Sequence, residues 1–211
     1  MTLAKRILFV LLIAAAAASA QTVNCIVAVV SGRIITLLDV DVAVAFGLAP
    51  GPAARAGGDP RLAVLEALID RKIVLDMARE ARSVSKDDLS LALADLRRSL
   101  GDEAFGAKLA KFGLTVPDLE PYLEERLLYE RALALRFSDS IPVSTSEVER
   151  HYRDIYVPDQ TRLGVAAEPL DKVAPAIESR IRAERRAVQM AGWVRDLRKG
   201  ADIQIRRDCL K

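Results

Sequence analysis

The chain has 211 residues, 51% of them hydrophobic, with 31 Lys and Arg against 29 Asp and Glu. So balanced a surface lacks the net or clustered positive field of a nucleic-acid binder, and no nucleic acid is expected as partner. The many arginines read as a solvated helix surface, and the apolar fraction suffices for one folded core.

Residues 1–20 read as an export leader. Lys5 and Arg6 form a basic start, "ILFVLLIAAAAA" an apolar run, and Ala18-Ser19-Ala20 a small-residue cleavage site. The run is too short to cross a bilayer comfortably, and no other segment is long enough to try. The expectation is cleavage after Ala20 and no stable membrane insertion afterwards. Without the leader, 29 charges of each sign remain.

The folded part opens on "VNCIVAVVSGRIITLLDVDV", residues 23–42. Ser31-Gly32 between β-branched runs predicts a two-residue hairpin turn joining strands at 25–30 and 33–36. Thr36 then caps a helix, with Asp39 as its reciprocal partner. Both strands are apolar on both faces, and a lone hairpin is marginal in water, so a third element must complete it.

Helix follows helix after that. "GLAPGPAARAGGDP", 47–60, is a loop, and Asp59-Pro60 opens a helix to about 82 with Leu62, Leu65, Leu68, Ile69, Ile73 and Met77 on one face. Ser85-x-x-Asp88 starts the next, carrying Leu89, Leu93, Leu96 and Leu100 before Gly101. A short helix with Phe105, Leu109 and Phe112 stops at Gly113. Thr115-x-x-Asp118 opens a helix over 116–138 with Leu119, Leu123 and Leu127 as its stripe. Ser144-x-x-Glu147 is the best capping box and begins a helix to about 156 with Val148, Tyr152 and Ile155. Residues 157–169 read as a proline-bounded connector. The last helix ends near 199, with Ile177, Ile181, Val188, Ala191, Val194 and Leu197 inward and a kinked or separate first turn at Pro175. Beyond it, Ile203 and Ile205 alternate as in a short strand.

Cys25 and Cys209 are the two cysteines. In an oxidising compartment such an isolated pair reads as a disulfide, two free thiols being the alternative. A terminal strand beside the hairpin would bring them within bridging reach.

Few groups converge for catalysis. His151, the single histidine, reads as a surface or half-buried helix residue. There is no nucleophile elbow, phosphate loop or dinucleotide fingerprint, and no zinc spacing, so neither cofactor nor metal is expected. Asp39, Asp41, Asp87, Asp88, Glu124 and Glu125 are explained by caps and polar faces. Apolar residues exceed tidy stripes at Leu75, Leu91, Tyr122, Leu128, Tyr129 and Trp193; these either pack within the core or line a groove for an extended or helical peptide.

"VNCIVAVVSGRIITLLDVD", "LEALIDRKIVLDMA", "VSKDDLSLALADLRR", "FGLTVPDLEPYLEERLLYERAL" and "IPVSTSEVERHYRD" together resemble the N-terminal chaperone domain of SurA-type periplasmic proteins. "ERRAVQMAGWVRDLRKGADIQI" resembles the C-terminal helix and strand that complete that domain. The resemblance implies a mainly α, multi-helix chaperone domain over 21–211, with a small sheet made from the N-terminal hairpin and the C-terminal strand. It would set residues 26–36 beside 202–206. Members typically carry parvulin-type prolyl isomerase domains before the final helix, whereas residues 157–169 are far too few for one. The implied function is a periplasmic, ATP-independent holdase for unfolded outer-membrane or secreted polypeptides, without isomerase activity. The alternatives are a relative of parvulin isomerases with residual activity, for which His151 would be the group to test, and an adaptor in an envelope assembly.

Overall fold

A computed structural model describes residues 25–49, 59–78, 83–137 and 141–210. The leader at 1–20, most of the Gly/Pro loop and the expected helix end near 82 lie outside those residues.

Strands β1 (Ile26–Val30) and β2 (Arg33–Thr36) form the expected hairpin. Its turn needs positive φ twice, and Ser31 (47°) and Gly32 (80°) supply it. The third strand is at the opposite end of the chain. β3 (Ile203–Ile205) pairs antiparallel with β1, Ala28 opposite Ile205 and Val30 opposite Ile203, giving the order β2-β1-β3. Arg206 N–H adds a bond to the Val27 carbonyl, and Ser31 N–H one to Asp202. The protein is mainly helical with this one small sheet.

Cys25 and Cys209 are joined as a disulfide, their Cα atoms 6.0 Å apart across a sequence separation of 184. Strand pairing sets Arg206 beside Val27, and a short 3-10 turn (Arg207–Leu210) carries Cys209 back over β1.

Among the described residues, seven α-helices precede the last long one. α1 (Leu37–Phe46) starts at the Thr36–Asp39 capping box, and α2 (Pro60–Met77) at Asp59, whose side chain accepts from Arg61 N–H. α3 (Lys86–Leu100) is capped by Ser85, and α4 (Asp102–Phe112) stops at Gly113 with φ of 65°. Val27, Val30, Ile35, Val40, Phe46, Leu65, Ile69, Leu119 and Leu123 are 2% exposed or less, and these residues form the main core under the sheet. A smaller apolar cluster joins Val74 to Tyr129, Ala132, Leu133 and Val194.

Three sequence expectations need correction. The helix expected over 116–138 begins as a 3-10 turn (Pro117–Leu119), and α5 proper is Glu120–Arg136. Pro117 and Pro121 lie four residues apart, and Pro121 cannot donate to the Pro117 carbonyl, so the tighter i→i+3 turn takes its place.

Second, α6 (Thr145–His151) does not stop near 156. It passes through a π turn (Tyr152–Tyr156) into α7 (Val157–Arg162), so half the supposed connector is helical. Val157 N–H bonds back to Tyr152, widening the ladder just before Pro158, whose ring and missing N–H the wider turn accommodates.

Third, α8 (Leu170–Gly200) is one helix through Pro175. Proline sits in its second turn and deletes one backbone bond without ending the element. Val188 on this helix is 72% exposed and Ala191 is also exposed, against the expectation that both face inward. Their stretch bridges two contacts: α8 packs on α6 and the π turn towards its start and on α2 towards its end. Val188 lies between these contacts and stays open to solvent.

The 31 residues of α8 make a rod of about 46 Å at 1.5 Å per residue. Its far part and α6, the π turn and α7 together form an arm. Arg182 donates to the Ile141 carbonyl at 3.3 Å, and Arg185 to Pro142 at 2.7 Å and to Glu147. Tyr152 Oη donates to the Glu168 carbonyl at 2.9 Å.

Candidate functional site

A cavity of about 370 Å³ opens where β2, α2 and α5 meet. Ile35 reaches it from β2, and Leu68, Arg71 and Lys72 from one face of α2. Leu114 and Asp118 belong to the turn before α5, and Pro121, Tyr122 and Glu125 to its first turns. Asp39, at the start of α1, completes the lining.

The polar groups are organised by capping chemistry. Asp39 Oδ2 accepts from both the amide and the hydroxyl of Thr36, each at 2.8 Å, which fixes the carboxylate against the first turn of α1. Its other oxygen accepts from Tyr122 Oη at 2.9 Å. Burial first, and then the Asp39 charge, push the Tyr122 phenol well above its ordinary range, so it stays a donor. Asp118 accepts from the Thr115 amide at 2.7 Å and from its hydroxyl, and those bonds hold its carboxyl below the usual range. Lys72 is paired with Glu125.

Arg71 is the unusual member, at 1% exposure. Its Nη2 donates to the Leu48 carbonyl, and its Nε–H has no acceptor. Burial pulls its pKa down, with Glu125 acting against that. One arginine thus ties the end of α1 to the middle of α2 from beneath the cavity wall.

Of the six side chains that the sequence placed in a groove or core, Tyr122 lines this cavity. Tyr129 is 8% exposed within the smaller apolar cluster, and half-buried Leu75 and Trp193 pack against it. The Trp193 indole meets the Phe137 ring edge-on at 5.6 Å. Leu128 is half-buried on α5. Leu91, 65% exposed, lines a second hollow of about 350 Å³ between α3 and α5 with Ala92 and Leu127, rimmed by Asp88, Asp95, Arg126 and Arg131.

Sequence reasoning missed Arg71 and the second role of the capping aspartates. The signal for Arg71 was present: it stands three residues after Leu68 on the apolar stripe of α2, where a charge needs a buried partner. Nothing local announced that Asp39 and Asp118, good caps each, face one space.

His151 is buried at 8% exposure, where a surface or half-buried place was expected, and among the described residues neither ring nitrogen has a hydrogen-bond partner. It sits in the arm on α6, the element that carries the exposed capping box, away from the cavity lining. Among the described residues, no group of three or more His, Cys, Asp or Glu is placed to hold a metal ion, and no helix is long and apolar enough to cross a membrane.

No protein-family model matches the chain, and no curated protein matches it.

Proposed function

We propose that the mature chain is a periplasmic holdase that captures unfolded polypeptides, outer-membrane precursors among them, without nucleotide. The observation that carries this reading is the junction of the first hairpin with the last strand, the arrangement implied by the resemblance to SurA-type chaperone domains. The Cys25–Cys209 disulfide is compatible with an exported protein.

Two surface features support client capture. The cavity beside Tyr122 offers hydrocarbon and polar groups together, as a peptide requires. The arm leaves Ile155, Leu163, Val165 and Val188 at 41%, 72%, 55% and 72% exposure, side chains that transient contact with apolar client segments would cover. Holding action follows from mass action: each covered segment is withdrawn from the pool able to aggregate. Affinity per site is weak, because the client gives up chain entropy on capture.

Crosslinking in the periplasm tests the reading. Many unfolded envelope proteins on the bait support the holdase. One stoichiometric folded partner instead identifies an adaptor.

A further inference from the structure

We propose that the cavity between β2, α2 and α5 selects basic-apolar stretches of extended polypeptide, seating an apolar side chain together with a neighbouring Lys or Arg. The inference rests on the holdase reading and specifies its client.

The charges around the cavity do not cancel. Arg71 and Lys72 face three carboxylates, Asp39, Asp118 and Glu125. Lys72 is paired with Glu125, and Arg71, behind the wall with its Nη2 on the neutral Leu48 carbonyl, offsets one further carboxylate, so one negative charge stays in excess. Among the described residues, Asp39 and Asp118 accept from neutral donors alone: Thr36 and Tyr122 for the first, Thr115 for the second. The Thr115 bonds hold Asp118 in its charged form without neutralising it. A net negative charge therefore faces an incoming cation, with Asp118 on its exposed side.

The hydrocarbon is set beside them. Half-buried Leu114 and exposed Pro121 share the lining with those two carboxylates, while Ile35 and Leu68 back the wall at 1% and 5% exposure. Lysine and arginine suit such a surface because their stems cover apolar area while the charged head stays at the polar edge. An acidic segment meets like charge there and is disfavoured. At about 370 Å³ the space is near the small end for ligand sites, which fits one or two side chains of a segment lying across the mouth.

The test uses fluorescein-labelled peptides of one length and one apolar composition, differing only in whether the polar positions hold Lys, Gln or Glu. Anisotropy titrations on the mature, oxidised protein should show the Lys peptide binding about fivefold tighter than the Gln peptide, as one screened charge contact allows, with the Glu peptide weakest. Asp118→Asn, which keeps an acceptor for Thr115, should cut the preference for the Lys over the Gln peptide to below about twofold. Equal affinities for the three peptides, or a Lys preference untouched in Asp118→Asn, overturn the inference and leave the holdase reading in place. No binding by any peptide, together with no suppression of client aggregation, overturns both.

Discussion

Arg198, on the last helix, donates to Asp70 on α2 at 2.7 Å and to Glu66 one turn earlier, tying positions 128 and 132 residues apart. Burial opposes the charge on Asp70 and on Arg198. For Asp70 it prevails over the guanidinium and raises the carboxyl, while Glu66 and Asp70 together more than offset it at Arg198. The contact sits beside Val194 and Leu197, where α8 meets the body. Arg198→Ala strands two half-buried carboxylates and should cost about 1–2 kcal/mol, between the values for exposed and fully buried pairs. Denaturant melts of the oxidised protein measure it, and Asp70→Asn in the Arg198→Ala background should recover part of the loss.

The disulfide closes nearly the whole folded chain into a loop. On the chain-entropy account, a loop of this size stabilises by roughly 5 kcal/mol at most. Cys25→Ser with Cys209→Ser should lower the melting temperature, and reductant should have the same effect on the parent and none on the variant. Two alkylatable thiols in the mature protein under non-reducing mass spectrometry contradict the bridge.

Val188 and Leu163 separate client contact from stability. Both are 72% exposed, so alanine at both positions should move the unfolding free energy by no more than about 0.5 kcal/mol each. Holding capacity should fall nonetheless. Leu123, fully buried in the main core, should behave in the opposite way, losing about 2–5 kcal/mol as alanine.

Glu147 gives the arm a pH dependence. The Ser144 backbone bond, then the Arg185 and Ser144 side chains, lower its carboxyl from 4.5 to about 2. A folded-state value below the unfolded one means that the stabilisation is complete above about 4.5 and is lost as pH falls towards 2. Hydrogen exchange, corrected for its intrinsic pH dependence, should show α6 amides losing protection over that window. Glu147→Gln should flatten the change.

The hairpin, four of the helix starts and the closing strand were legible because each is written locally. Ser31-Gly32, Thr36-x-x-Asp39, Asp59-Pro60, Ser85-x-x-Asp88 and Ser144-x-x-Glu147 all appear as turn or capping geometry. Errors arose where Pro158 was read as bounding a connector and Pro175 as kinking or separating a first turn. Pro158 is absorbed by a π turn and Pro175 by an early helical position, neither of which composition reveals. Inward and outward faces failed at Val188, whose pattern is helical but whose side chain is 72% exposed, while Met190 two residues on packs against the Tyr129 cluster. The cavity was the least legible feature. Asp39, Arg71 and Asp118 come from three separate segments, and only the assembled core makes them neighbours.

Nucleotide-free protection of a client tests the central claim most directly. An outer-membrane protein diluted from denaturant, with the oxidised mature chain at stoichiometric ratio, should scatter little light while the chain is present and aggregate when it is omitted. Aggregation at the same rate and extent with and without the chain would contradict the account.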